Sequence, residues 1–213
     1  NSLRIHRATG GESFAALDDK DYTLAEGMTA ISDANQVESL AGIMGGSHSG
    51  CTDETTDVFL EAAFFDPVRT AYTGRALKIN SDARYRFERG IDPAWTPTGF
   101  EAATQMIMDL CGGTPSDVVT AGQLPDHTRA YRLDTDRVQS LVGMEIAPQT
   151  QRDTLEALGF VMDGDMAQVP SWRPDVMGEA DLVEEVARIA SLSRLQGKAL
   201  PRGTSGVPKQ IQS

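Results

Sequence analysis

The sequence predicts an α+β fold: a mixed, strand-rich domain with helices, followed by a small winged-helix-like domain. Three observations carry that prediction. Short apolar stretches broken by polar turns fill residues 13–65, the pattern of half-buried strands. Two segments with Pro near the start, 67–77 and 97–113, the second stopped by Gly112-Gly113, then read as helices. Beyond a Pro- and Gly-bearing stretch come two short helical patterns, an Asp163-Gly164-Asp165 turn between two short strands, and a last helix with one apolar and one acidic face.

In order, the strands are Phe14 to Leu17, Tyr22 to Leu24, Met28 to Ile31, Val37 to Met44 and Val58 to Phe65. Asp33-Ala34-Asn35 supplies a hairpin-type connection between two of them. Gly45-Gly46-Ser47-His48-Ser49-Gly50 has the look of a phosphate cradle but lacks the Lys-Ser or Lys-Thr of a nucleotide loop. Two uses remain open for it: a tight turn needing left-handed backbone, or the close approach of a ligand to bare backbone. The stretch Leu60-Glu61-Ala62-Ala63-Phe64-Phe65 sets one acid in an apolar strand. A charge buried there needs a partner or a task.

Pro67 to Leu77 reads as a helix bearing Arg69 and Arg75. The run from Ser81 to Gly90 places Arg84, Arg86 and Arg89 among Tyr85 and Phe87, a composition suited to local ion pairs on a solvated face. In the next helix Phe100, Ala103, Ile107, Leu110 and Cys111 share one face, which predicts core packing. Thr114 to His127 is the expected domain boundary.

Beyond it, Tyr131 to Leu133 is a strand, Asp134 caps a helix ended by Gly143, and Pro148 starts a helix that buries Leu155 and Leu158. Winged-helix folds often read DNA. Here the second helix offers one base, Arg152, against Asp153 and Glu156, so docking is expected rather than DNA binding.

The last helix carries Leu182, Val183, Val186, Ile189 and Ala190 in one sector and Asp181, Glu184, Glu185 and Arg188 in the other. Pro174 keeps Asp175 ahead of the helix, and Gly178 lets the chain bend so that Asp175 converges with Asp181, Glu184 and Glu185. Two readings follow. Acids in a first turn complement the helix dipole, and carboxylates gathered this way suit a hard cation such as Mg²⁺, which takes one or two directly and the rest through water.

The chain has 213 residues and a net charge of −12. A chain this long buries about 70% of its unfolded surface without staples. Its acidity disfavours polyanions as partners of the chain as a whole. Cys51 and Cys111 have no Cys or His at zinc spacing, so buried thiols in a reducing compartment are expected. No apolar run reaches membrane-spanning length, and a cytoplasmic location is expected. The absence of an initiator Met and the polar final residues fit a piece of a longer polypeptide.

Four stretches in this order, Ala41-Gly42-Ile43-Met44-Gly45-Gly46-Ser47-His48-Ser49-Gly50, Leu60 to Phe65, Arg84 to Pro93 and Ser171-Trp172-Arg173-Pro174-Asp175, resemble the beta chains of bacterial phenylalanine-tRNA synthetases. The resemblance spans nearly the whole chain. It implies that residues 1–123 are the later part of the B3/B4 tRNA-editing domain, 124–202 the B5 winged-helix-like domain, and 203–213 a polar tail. It also implies an alpha-chain partner in an alpha2beta2 tetramer, with ATP bound by alpha, and phenylalanine tRNA as the nucleic acid.

In such enzymes an editing site removes tyrosine wrongly joined to the phenylalanine tRNA. A pocket built for phenylalanine rejects an added hydroxyl by only about a hundredfold, so a second site must favour that hydroxyl. By resemblance Glu61 is the acid that reads the phenol, Gly45 leaves room for the side chain, and Ala83 lines the pocket. Ser81 stands where the family has Thr, keeping the hydroxyl but losing a methyl, which predicts a slightly roomier pocket. A histidine from upstream of the matched stretch also belongs to the family's pocket. Asp175, Asp181, Glu184 and Glu185 match the family's magnesium-binding acids at the alpha–beta contact. Two rival readings are a free-standing misacyl-tRNA deacylase and a non-catalytic winged-helix interaction module.

Overall fold

The computed structural model describes residues 2–197 and 199; the expected polar tail, 203–213, lies outside them. Helices and antiparallel sheets share the chain, an α+β fold. It divides into two compact units, one of residues 1–129 with 169–177, the other of residues 130–168 with those from 178 onward.

In the first unit, β1 (Arg4–Arg7), β4 (Thr29–Ser32), β5 (Val37–Leu40) and β6 (Met44–Gly45) form an antiparallel sheet in that order, and β2 (Ser13–Ala15) pairs with β3 (Asp21–Thr23). The β4–β5 connection is set by Asp33, whose Oδ1 accepts from the backbone N–H of Asn35 (2.7 Å) and Gln36 (2.8 Å), an Asx turn. Phe14, Leu24, Ala30, Leu40, Ile43 and Ile79 are the centre of the core beneath. Each large apolar side chain buried there contributes about 1.5–3 kcal/mol relative to leaving it in water.

Three helices follow. Asp66 caps α1 (Pro67–Leu77) by accepting from Arg69 N at 2.7 Å, and Ser81 caps α2 (Asp82–Phe87) by accepting from Arg84 N at 3.1 Å. α3 (Thr96–Cys111) has no fully buried residue.

The structure corrects several expectations. Arg4–Arg7 is a strand the periodicity did not predict, because its only aliphatic residue, Ile5, faces solvent. The expected strand Val37 to Met44 breaks into β5 and β6 where Gly42 takes φ 69°. Val58 to Phe65 is not a strand, since apolar composition cannot replace a ladder partner. The expected core face of α3 is only half-buried at Phe100, Ala103 and Ile107, and exposed at Leu110 and Cys111. Both thiols are exposed rather than buried.

In the second unit β7 (Ala130–Arg132), β9 (Met166–Gln168) and β8 (Val161–Asp163) form a three-stranded antiparallel sheet. Helices α4 (Thr135–Val142) and α5 (Pro148–Ala157) both pack on α6 (Glu179–Ile189). Asp134 caps α4 and Gly143 ends it in the left-handed region. Leu133, Val138, Leu155, Phe160, Leu182, Val183 and Val186 are buried. Gln151, buried with them, donates from Nε2 to Thr135 O and Ile146 O at 2.9 Å each, so α5 is tied to both ends of the α4 region. Leu158 is only half-buried.

Candidate functional site

A cavity of about 300 Å³ opens in the first unit. Three segments wall it: the β5–β6 turn with Gly42, Ile43, Met44 and Gly45; the extended stretch with Glu61, Ala62, Ala63 and Phe65; and α2 with Ala83 and Phe87. Three residues singled out from the sequence, Gly45, Glu61 and Ala83, therefore meet at one cavity.

Local chemistry fixes these walls. Gly42 lies where a Cβ would come within 2.9 Å of Phe65 and 3.1 Å of Phe87. Phe65 and Phe87 pack with ring centres 5.2 Å apart, a tilted pairing favoured by their quadrupoles. They form an apolar wall whose signal in the sequence, aromatics in two different motifs, did not reveal their contact. A Cβ on Gly46 would stand 2.7 Å from the carbonyl oxygen of Glu38, so the second glycine is required by backbone contact.

At Gly45 a Cβ would meet Leu17 Cδ1 at 3.0 Å. The space that glycine leaves is thus taken up on that side by Leu17. In the loop Gly46–Gly50 two N–H groups are engaged by backbone, Gly46 with Glu38 O (2.7 Å) and Ser47 with Ala15 O (3.0 Å), and neither Gly46 nor Gly50 takes the left-handed region.

Ser81 is absent from the cavity lining. Its hydroxyl donates to Ile43 O at 2.5 Å while accepting from Arg84 N. It joins the β5–β6 turn to α2, so the two walls carrying Gly45 and Ala83 move together.

Glu61 differs from the sequence expectation in its surroundings. It sits on an extended segment and is exposed, not sunk in an apolar strand. Even so, the protein around its carboxyl raises its pKa above the ordinary value by desolvation. Such a carboxylate holds fewer compensating interactions than one in bulk water and gains more from a donor brought to it.

The four acids matched to magnesium divide between the units: Asp175 in the first, Asp181, Glu184 and Glu185 in the second. Asp175 is gripped by Arg173, Nη2 to Oδ2 at 2.6 Å and Nε to Oδ1 at 2.9 Å. That guanidinium lowers its pKa. Glu185 is buried, where an exposed acidic face was expected, and pairs with Arg188 at 2.6 Å. Ile189, expected on the packing face, is half-exposed. Among the described residues no three acidic, His or Cys side chains form a group able to hold a metal ion, and two of the four acids are already neutralised by arginines.

Comparison with known proteins bears on the whole chain. Residues 1–112 match the family model of the B3/4 domain, and residues 131–191 that of the tRNA synthetase B5 domain. Phenylalanine-tRNA ligase beta subunits align along nearly all of it: 64% identity over 212 residues in Ruegeria pomeroyi and 66% over 209 in Cereibacter sphaeroides. The chain belongs to the phenylalanine-tRNA ligase beta-subunit family. The aligned stretch is 100% and 98% of this chain but only 27% and 26% of those relatives. The Paramagnetospirillum magneticum relative is 49% identical over 213 residues, with 26% of its length covered. The chain therefore spans about a quarter of the family members it matches, and the cavity of Gly45, Glu61 and Ala83 lies wholly inside its B3/4 match.

Proposed function

We propose that this chain supplies the tyrosine-reading pocket of a phenylalanine-tRNA ligase, within a beta subunit that works with an alpha chain binding ATP. Residues 1–123 serve as the later part of the tRNA-editing domain and 124–202 as the B5 docking domain. The observation that carries the reading is the joint placement of Gly45, Glu61 and Ala83 around one cavity with an aromatic wall. About 300 Å³ is at the small end of ligand sites, a size for one amino-acid side chain.

A tyrosine entering there lays its ring on Phe65 and Phe87 and brings its hydroxyl to Glu61. The phenol donates to the carboxylate, a charge-assisted bond. Phenylalanine covers the same carboxylate and leaves it without a donor, which costs about 1–3 kcal/mol or more for a charged group. In an alpha–beta enzyme, Glu61→Ala should lose clearance of tyrosyl-tRNA while phenylalanine activation stays intact. Undiminished tyrosine clearance would remove Glu61 from the pocket.

The B5 acids are proposed to act at the alpha–beta contact. Magnesium held there by Asp175, Asp181, Glu184 and Glu185 would compete with the Arg173–Asp175 and Arg188–Glu185 pairs. No step of the hydrolysis is assigned to the metal.

A further inference from the structure

The short helix α2 borders two recesses. Ala83 and Phe87, one turn apart, face the cavity already described; Ser81, Asp82, Arg84, Tyr85 and Glu88 line a second recess of about 310 Å³. That second recess mixes polar groups with the ring of Tyr85, and Arg84 is held in place in its wall. Arg84 Nε bonds Glu88 Oε2 at 2.9 Å, and its Nη1 bonds Ile79 O at 2.6 Å and Asn80 Oδ1 at 3.1 Å. Tyr85 is 60% exposed although the Arg89 guanidinium covers it at 3.7 Å from the ring centre. Arg89 lies over one face of the ring, and more than half of the residue still remains open to solvent.

Charge is segregated to the same place. Residues 67–90 hold six of the nineteen Lys and Arg of a chain whose net charge is −12, and only two acids, Asp82 and Glu88. Glu88 is shared between Arg84 and Arg89, so the two acids of the stretch stand against six cations, with Arg86 exposed. The composition of the whole chain argues against polyanions; this stretch does not share it.

An exposed aromatic ring beside exposed arginines is a platform for unpaired nucleotides, where the base stacks and the cations meet phosphate. We infer that the recess walled by Tyr85 docks the terminal unpaired base of an RNA chain, stacked on the open face of Tyr85, with Arg86 and Arg89 against its phosphates. This rests on the reading that the first cavity takes an aminoacyl group esterified to RNA. In such an ester the sugar adjoins the carbonyl, so the base must lie within one nucleotide of the cavity, and α2 is the wall common to both.

The test uses the complete alpha–beta enzyme and a tRNA transcript carrying 2-aminopurine as its 3′-terminal base, whose fluorescence is quenched on stacking. Tyr85→Ala should remove the Tyr85-dependent quenching and raise KM for tyrosyl-tRNA about tenfold with kcat little changed, and Tyr85→Phe should restore both. Hydrolysis of tyrosine methyl ester, which has no base, should be unaffected by either. Arg86→Ala or Arg89→Ala should reduce the salt slope of tRNA binding by about 0.7 for each phosphate no longer neutralised. Quenching and KM both unchanged in Tyr85→Ala would overturn the inference. The pocket reading fails separately: if Glu61→Ala still clears tyrosyl-tRNA while Tyr85→Ala abolishes quenching, the docking surface stands and the cavity assignment falls.

Discussion

Gly74→Ala should destabilise the first unit, against what helix propensity alone demands. Gly74 lies inside α1, where replacing Gly by Ala ordinarily stabilises by about 1 kcal/mol. Here the added Cβ would lie 2.3 Å from both Cδ and Nε of Arg84 and 2.8 Å from its Cζ. The side chain cannot simply swing aside, because its Nε and Nη1 are held by Glu88, Ile79 O and Asn80, and it is only 11% exposed. Overpacking of this kind costs about 1–3 kcal/mol, and breaking one charge-assisted bond adds about 1.5–3 kcal/mol. Set against the propensity gain, the net loss is about 1.5–5 kcal/mol, a fall in melting temperature of about 4–20 °C. Thermal melts and urea titrations of both proteins measure it. The decisive comparison is a double-mutant cycle with Arg84→Ala: once Arg84 is gone, Gly74→Ala should become stabilising. A Gly74→Ala protein more stable than the parent, with Arg84 present, would refute the steric account.

Two further predictions concern other parts of the first unit. The Glu12 carboxylate accepts from Thr9 N–H at 2.7 Å, Thr9 Oγ1 and Gly10 N–H at 2.8 Å, which lowers its pKa from 4.5 to about 2. A depressed folded pKa means that the turn's extra stability is complete above 4.5 and is lost as pH falls toward 2; amide exchange at Thr9 and Gly10 should quicken across that window, and Glu12→Gln should abolish the dependence. Arg129 donates from Nη2 to Arg173 O (2.8 Å) and from Nη1 to Pro174 O (3.2 Å) and Val176 O (2.9 Å). Arg129→Ala should loosen residues 170–177 by about 1.5–3 kcal/mol, seen as faster amide exchange there; an unchanged exchange pattern would remove Arg129 as the organiser of that segment.

What the sequence made legible was whatever depends on neighbours in the chain. Asp134 caps a helix, Gly143 ends it, and Asp163-Gly164-Asp165 turns a hairpin, all through interactions within a few residues. What stayed hidden depends on residues far apart along the chain. The apolar run at 58–65 reads as a strand in isolation, yet a strand exists only with a partner ladder, and Glu61, Ala62, Ala63 and Phe65 serve instead as a cavity wall. Glu185 reads as solvent-facing from helical spacing, but the buried arc of α6 spans Leu182 to Ala187 and takes Glu185 in with its Arg188 partner. Gly45, Glu61 and Ala83 were recognisable as motif members; that Ser81 works by holding Ile43 O needed the tertiary contact.

The exposure of Glu61 bears on how the pocket discriminates. A carboxylate already buried among apolar groups would pay its desolvation in every molecule, whichever substrate came. Glu61 is partly desolvated already and meets the rest of that cost only when a side chain covers it, so that remainder enters the comparison between tyrosine and phenylalanine. Leaving a covered polar group without its donor costs about 1–3 kcal/mol, and more if it is charged. At about 1.4 kcal/mol per decade, that range separates the two by roughly 5- to 150-fold. A first site that rejects an added hydroxyl only about a hundredfold is complemented by a second whose preference runs the other way. The raised pKa of Glu61 also sets the sign of the pH effect: selectivity for the phenol needs the ionised acid, and acidification should erase it at a higher pH than for an ordinary glutamate.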